Sequence, residues 1–134
     1  MQAILLLLFF IGMLGDSFTT FLGILGGLGT PVGNPTDTAN IADMGNYVFA
    51  MIGTSVITGL NLLTVEVFER KNKILFLFWA PAVIVDFVTS LIGSFTFIKS
   101  GANLLLAYLL VFIITMFITA SPAMLRYIMK NPVY

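Results

Sequence analysis

Two aspartates are the residues of this chain whose type and position could support chemistry. Asp16 lies inside the first apolar segment, in "GMLGDSFTTFLGILGGLG", and Asp86 lies inside the third, in "DFVTSLIGSF". A carboxylate surrounded by hydrocarbon is costly, so each aspartate is a functional-site hypothesis by default. Two such carboxylates could bind a proton or a cation, as in proton and sodium carriers. Neighbouring hydroxyl groups would then complete an oxygen cage, namely those of Thr19, Thr20, Thr89 and Ser90.

The same aspartates also fit a structural role, which we favour at this stage. Small and polar residues recur around each of them at steps of three and four, so they share one face of a helix. Small residues let membrane helices approach closely, and threonine hydroxyls hydrogen-bond across such contacts. We therefore predict a helix-packing seam that contains both aspartates. Its members are Gly12, Asp16, Thr19, Gly23 and Gly26 in the first segment and Ala82, Asp86, Thr89, Gly93 and Thr96 in the third.

A second polar stripe runs along the other two apolar segments. Its residues are better suited to contacts between helices than to contact with lipid. We predict a second packing seam formed by Thr54, Thr58, Asn61, Thr115 and Thr119.

The elements that must position these residues are apolar helices. The chain has 134 residues, of which 59% are hydrophobic and 9% are charged, whereas soluble domains carry about 25% charged residues. Its apolar segments cover roughly residues 3–28, 46–66, 74–98 and 102–128, and each is long enough to cross a hydrocarbon layer about 30 Å thick. The first segment lacks the positive flank of a signal peptide, so we expect it to be the first membrane helix.

The four segments predict an all-α fold made of two tandem, duplicated antiparallel hairpins. "DSFTTFLGIL" aligns with "DFVTSLIGSF" at an offset of 70 residues, and "YVFAMIGTSVITG" aligns with "YLLVFIITMFITA" at an offset of 61. We expect one helical domain over residues 1–134, with the first repeat at 1–67 and the second at 73–130. The connection "TPVGNPTDTAN" predicts an exposed loop, and "KSGAN" predicts a tight turn.

Basic residues predict how the helices are oriented. Arg70, Lys71 and Lys73 lie in the second connection, and Arg126 and Lys130 lie near the C-terminal end. By the positive-inside rule, both termini and the loop at 67–73 are predicted to be cytoplasmic. The integral membrane protein would then present these five residues on its inner face.

Composition excludes several classes of chemistry. The chain has no cysteine and no histidine, so it has neither thiolate nor imidazole for catalysis or metal binding. We expect no catalytic residue, no metal and no cofactor. The "GMLGD" stretch is similar to the GxGD motif of intramembrane aspartyl proteases, but "SPAML" is not their PAL motif and four helices are too few. We therefore expect no enzyme and no small-molecule substrate.

The chain resembles the very hydrophobic major capsid proteins of spindle-shaped, lemon-shaped and tailed archaeal viruses. The resemblance rests on the glycine- and threonine-rich apolar hairpins ("FLGILGGLG", "MIGTSVITG"), on the loop start "GTPVGNPT", and on the lack of cysteine and histidine. It implies a structural subunit that enters the host membrane and then polymerises by helix packing into the capsid or tail shell of the virion. The partners it implies are many copies of the chain, host lipid before assembly, and a nucleoprotein on one face.

The alternative hypothesis is a small four-helix membrane transporter or channel subunit. In that case Asp16 and Asp86 bind a proton or a cation. The two hypotheses differ in the expected assembly, since a coat protein forms extended helical polymers and a carrier forms small closed oligomers.

Overall fold

The fold of the chain is helical. The computed structural model describes residues 1–30 and 41–132, and these ranges contain no β-strand. The predicted loop at residues 30–40 lies outside them, except for its first residue. The described helices are α1 (Gln2–Gly27), α2 (Ile41–Leu62), α3 (Thr64–Arg70), α4 (Lys73–Phe95) and α5 (Leu104–Lys130). The prediction of an all-α fold is confirmed.

The second apolar segment forms two helices, whereas the sequence predicted one helix over residues 46–66. The chain breaks at Leu63, and α3 is bent by 43° relative to α2. At the break, the Leu63 N–H donates to the Leu60 carbonyl at 3.1 Å, and the Thr64 hydroxyl donates to the Asn61 carbonyl at 2.6 Å. Hydroxyls that compete for backbone carbonyls commonly bend helices. As a result, α3 packs against the ends of both α4 and α5.

Asparagines begin both helices of the second half. The Asn72 side chain accepts a hydrogen bond from the Ile74 N–H at 3.0 Å, and the Asn103 side chain accepts one from the Leu106 N–H at 3.2 Å. These caps satisfy backbone donors that have no partner within the helix. Between the helices, Gly101 adopts a φ of +88°, which glycine reaches without steric cost. The tight turn predicted at "KSGAN" therefore lies between α4 and α5.

Helix α1 is the central helix of the bundle. Its most extensive contact is with α4 and its second is with α5, while α2 packs against both α1 and α4. Every described helix leaves large apolar side chains exposed, and the interior contains polar side chains beside apolar ones such as Leu25 and Ile128. Soluble proteins instead keep most of their large apolar side chains inside. The fully buried polar residues include Asp16, Thr20, Asp86, Ser90, Thr115 and Ser121.

Several of the helices match the dimensions of a membrane. Helices α1, α4 and α5 have 26, 23 and 27 residues and are apolar enough to span a bilayer, and α2 with α3 makes a fourth span if the bent pair is counted as one. Pro81 and Pro122 lie inside α4 and α5 without ending them, as neighbouring helices in a membrane bundle allow. The prediction of helices long and apolar enough to span a membrane is confirmed.

Candidate functional site

The crossing of α1 and α4 brings two glycines against backbone. A Cβ atom added to Gly23 would collide with the carbonyl of Thr89, and one added to Gly93 would collide with the carbonyl of Thr19. The contact is reciprocal. Gly23 faces Thr89 and Gly93 faces Thr19, and the two contacts are related by the 70-residue offset. The two backbones therefore touch, as they do where small residues line helix contacts in membranes.

Asp16 and Asp86 lie together at this crossing, and neither has any exposed surface. The Ser90 hydroxyl of α4 lies 2.9 Å from Asp16 Oδ1, and the Thr20 hydroxyl of α1 lies 2.7 Å from Asp86 Oδ1. Thr20 and Ser90 are themselves 2.7 Å apart. Each acid is thus bound by the hydroxyl four residues after the other acid, and the four side chains form one continuous chain of oxygens.

The number of hydrogens in this chain is informative. Its three oxygen–oxygen links, Asp16 to Ser90, Ser90 to Thr20 and Thr20 to Asp86, each require one hydrogen. The two hydroxyls supply two, because a hydroxyl carries a single hydrogen. If both acids were ionised, the Ser90–Thr20 contact at 2.7 Å would contain no hydrogen at all. One proton on one carboxyl group completes the chain.

The surroundings of the two acids differ. The second oxygen of Asp86 accepts a hydrogen bond from the side-chain amide of Asn61 in α2. The second oxygen of Asp16 is fully buried and has no hydrogen-bond partner among residues 1–30 and 41–132. The residue of α5 that corresponds to Asn61 at the 61-residue offset is Pro122, whose side chain has no donor. The amide favours an ionised Asp86, so the shared proton belongs on Asp16.

The charge of the pair is not balanced by any basic side chain. All six lysines and arginines of the chain lie at helix ends or in connections. Two acids that share one proton therefore leave one negative charge in the interior, and a buried charge requires a partner. The described residues contain no group of three or more acids that could hold a metal ion. The oxygen set suits a proton and a monovalent cation.

Thr19 and Thr89 do not belong to the oxygen cage, contrary to the hypothesis from sequence. The Thr19 hydroxyl donates to backbone carbonyls of its own helix, those of Gly15 and Asp16, at 3.1 Å. The Thr89 hydroxyl likewise donates to the Val85 carbonyl at 2.7 Å. Their neighbours Thr20 and Ser90 face the acids instead, and each bonds the aspartate of the opposite helix.

The remaining residues of the first predicted seam have several different neighbours. A Cβ added to Gly12 would collide with the Ser121 side chain, so this glycine packs against α5 and not against α4. Ala82 is buried, whereas Gly26 is exposed and lies near Ile92. The Thr96 hydroxyl donates to the Gly93 carbonyl at the end of α4, at 2.6 Å. The seam that joins α1 to α4 is therefore shorter than the predicted stripe.

The second predicted seam is partly used for hydrogen bonds between helices. Thr58 bonds to Ser17 at 3.1 Å, and Thr115 bonds to Ser94 at 3.3 Å. Asn61 reaches Asp86, as described above. The Thr54 and Thr119 hydroxyls are buried and have no partner among the described residues. In the sequence, the residues of the candidate site are the two aspartates, the Ser or Thr four residues after each of them, and Asn61.

Two of the five predicted inner-face basic residues form ion pairs with acids of α3. Arg126 contacts Glu66 at 2.8 Å, and Lys130 contacts Glu69 at 2.6 Å. Burial alone would raise the pKa of Glu66, but the hydrogen bond and charge of Arg126 outweigh it and hold this pKa below its usual range. The other three, Arg70, Lys71 and Lys73, are exposed and form no salt bridge with a described residue.

Two cavities open on the sides of the bundle. The large cavity, about 1070 Å³, lies between α1, α2 and α5 and is almost wholly apolar. The small cavity, about 300 Å³, lies between α2, α4 and α5 and includes polar side chains next to the acid pair. The large cavity is lined by Leu7, Phe10, Met13, Gly59, Leu125 and Arg126, among others. The small cavity is lined by Asn61, Thr64, Trp79, Phe87, Thr119 and Ala120, among others.

Comparisons of this chain with family models, with curated proteins and with solved structures returned no match.

Proposed function

We propose that the chain is an integral membrane protein whose Asp16–Asp86 pair shares one proton and exchanges a second proton against a monovalent cation. The observation that carries this proposal is the chain of four buried oxygens, which has three links and only two hydroxyl hydrogens. A carboxyl proton is the simplest group that completes it. Ionisable residues inside membrane bundles commonly serve ion and proton pathways.

The architecture behind this proposal is a duplicated pair of hairpins, with repeats at 1–67 and 73–130. Its support is the reciprocity of the α1–α4 crossing, where residues 70 positions apart make equivalent contacts. We further propose that α1, α2, α4 and α5 span the membrane, with α3 at the cytoplasmic boundary. In this orientation the termini and the loop at 67–73 are cytoplasmic, in keeping with the positive-inside rule.

The mechanism follows from the charge of the pair. With one proton, the pair carries a single negative charge, which a monovalent cation neutralises. With two protons, the pair is neutral and the cation has no counter-charge. Proton binding and cation binding therefore oppose each other at one site, which is the basic requirement for exchange. The chain would act as a small transporter or channel subunit.

Transport by proteoliposomes tests this proposal. The purified full chain is reconstituted with a trapped pH indicator and an acidic interior, and sodium, potassium or tetramethylammonium is added outside. We expect at least one of these cations to accelerate proton efflux, and Asp16→Asn or Asp86→Asn to abolish the acceleration. Glu69→Gln, which changes an exposed acid outside the pair, should leave it intact. Equal efflux from wild type and both aspartate variants would contradict the proposal.

A second candidate function is the structural shell subunit that the resemblance implies. The observation that favours it is the apolar surface, since every described helix exposes large hydrophobic side chains that copies of the chain could cover. In this role the chain would insert in the host membrane and later form the capsid or tail shell of a virion, with a nucleoprotein on one face. Electron microscopy of the protein in its native particle separates the candidates, because extended helical polymers support the shell and small closed oligomers support the transporter.

A further inference from the structure

The small cavity adjoins the half of the acid pair that holds the negative charge. Its wall includes Asn61, whose side-chain N–H group donates to Asp86. The carbonyl oxygen of the same side chain has no partner, although only 2% of the residue surface is exposed. A buried acceptor without a donor is energetically costly. No described residue donates to this oxygen, so a ligand in the cavity could supply the donor.

A second unpartnered oxygen lies in the same wall. The Thr119 hydroxyl is buried and has no hydrogen-bond partner among the described residues. The Thr64 hydroxyl, in contrast, is already engaged, since it accepts from the Trp79 indole at 2.9 Å and donates to the Asn61 carbonyl of the main chain at 2.6 Å. The free polar groups of the cavity are thus an amide oxygen and a hydroxyl, and both can accept.

The rest of the cavity is apolar and aromatic. Trp79 and Phe87 contribute rings, and Val83, Met116 and Ala120 contribute aliphatic surface. Aromatic rings attract cations, and apolar walls favour a ligand with a hydrocarbon part. The cavity volume of about 300 Å³ lies at the lower end of the volume range of small-molecule pockets. Inorganic cations would use the oxygens but not this apolar surface.

From these observations we infer that the small cavity binds a small organic monocation, a protonated alkyl- or arylamine. Its ammonium group would donate to the Asn61 oxygen beside Asp86 and to the Thr119 oxygen, which lies near Asp16, and its hydrocarbon part would lie against Trp79 and Phe87. This inference rests on the proposed function, because it names the chemical class of the exchanged cation. Binding involves no covalent step: the ammonium enters as a second proton leaves the acid pair to water.

The single tryptophan of the chain reports on this cavity. Trp79 lies in its wall, and the sequence contains no other tryptophan. The purified full chain in an amine-free detergent is titrated with 2-phenylethylammonium and, separately, with its neutral analogue 2-phenylethanol. We expect a saturable change in Trp79 fluorescence with the amine and an affinity at least tenfold weaker for the alcohol. Equal affinity for the two ligands, or no saturable change, would overturn the inference.

Variants locate the binding site. Asp86→Asn should weaken amine binding at least tenfold, and Thr119→Val should weaken it severalfold. Because Asp86→Asn could affect folding, Ala120→Leu provides a test that leaves the acids unchanged, since it fills the cavity. Its matched control is Gly59→Leu at the corresponding position of the large cavity, where an added Cβ atom meets no neighbour within 4 Å. Binding that survives Ala120→Leu but is lost in Gly59→Leu would overturn the assignment.

Two further measurements separate the possible causes of each outcome. The titration is repeated in nanodiscs of phosphatidylglycerol and of phosphatidylethanolamine, and loss of amine binding only in the latter would assign the site to a lipid ammonium group. The proteoliposome assay is performed in parallel. Proton exchange against sodium without any amine binding would overturn this inference and leave the proposed function intact. Amine binding without proton exchange would support the cavity assignment and contradict the transport role.

Discussion

The large and the small cavity are lined by residues that correspond at the 70- and 61-residue offsets, yet the cavities differ in volume and in the polar side chains of their walls. Residues 70 positions apart in α1 and α4 line both, as do residues 61 positions apart in α2 and α5. Met13 and Gly59 of the large cavity correspond to Val83 and Ala120 of the small cavity. The volumes are nevertheless about 1070 and 300 Å³. Similar backbones therefore carry different surfaces.

The difference follows the difference between the acids. Leu125 of the large cavity corresponds to Thr64 of the small cavity, and Pro122 stands where the other half has Asn61. Asn61 of the first half therefore supplies a donor to Asp86 of the second half, whereas Pro122 of the second half has no side-chain donor to supply to Asp16. A nearly symmetric helix crossing can therefore favour a proton on one acid, Asp16, and a negative charge on the other, Asp86.

The largest expected effect concerns the crossing that both halves share. Gly23→Ala places a methyl group against the Thr89 carbonyl, so α1 and α4 must separate. We expect destabilisation of about 3 kcal/mol or loss of folded protein, measured by thermal unfolding in detergent. Gly27→Ala is the matched control, because its added Cβ meets nothing within 4 Å, and it should be neutral or slightly stabilising. Equal stability of the two variants would show that the crossing is not close-packed.

The next effect distinguishes the acids themselves. Both carboxyl oxygens of Asp86 accept hydrogen bonds, one from Thr20 and one from Asn61. Asp86→Asn replaces one of these oxygens with an NH₂ group, so one donor loses its acceptor. We expect the free energy of unfolding to fall by about 1–3 kcal/mol. Asp16→Asn resembles the protonated acid and should lower the free energy of unfolding by less than about 1 kcal/mol. The reason is that no described residue donates to the second Asp16 oxygen. Chemical denaturation of the two variants checks this order. The reverse order would place the proton on Asp86.

A smaller effect is expected when the missing amide is supplied. Asn61 donates a hydrogen bond to Asp86, and Pro122→Asn places the same amide at the corresponding position near Asp16. One added hydrogen bond to Asp16 should raise the free energy of unfolding by about 1 kcal/mol. The melting temperature in detergent is the measurement. Pro81→Asn controls for the loss of a proline inside a helix, because Pro81 lies on the exposed side of α4. A gain no larger than that of the control would argue against an unfilled amide position beside Asp16.

The smallest effect lies at the α3 end of the bundle, where Arg126 borders the large cavity. The pKa of Glu66 is depressed in the folded state, so the stabilisation by this pair is present above the unfolded pKa of a glutamate and is lost as pH falls through the folded pKa. We expect the Arg126–Glu66 pair to stabilise the folded state by less than about 1 kcal/mol, since 41% of the Arg126 side chain is exposed. Glu66→Gln should flatten the dependence of unfolding on acidic pH. An unchanged pH profile would show that the pair contributes nothing.

Much of the architecture could be predicted because membrane helices are long and uniform. The apolar segments, the correspondence of Asp16 with Asp86 and the close approach at Gly23 and Gly93 all follow from spacing along single helices. The break at Leu63 could not be predicted, since it depends on a hydroxyl competing for one backbone carbonyl. A weak local choice of this kind leaves no periodic signal.

The candidate site was predicted in its acids but not in its hydrogen bonds. Spacing alone places Thr19 and Thr20 equally near Asp16, and only the rotation of α1 against α4 shows that Thr20 faces the acids. The role of Asn61 also depends on how α2 packs, because its partner lies 25 residues away on another helix. The small cavity is a property of three helices together, and no single segment encodes it.

Infrared spectroscopy of the carboxyl groups tests the central claim most directly. The carbonyl stretch of a protonated carboxyl differs from the bands of a carboxylate, so the protonated groups of the full chain in lipid can be counted against its aspartate variants. We predict one buried protonated carboxyl at neutral pH, absent in Asp16→Asn and retained when 2-phenylethylammonium is added. A spectrum with no protonated carboxyl at neutral pH in the wild type would contradict the shared proton, and with it the proposed exchange.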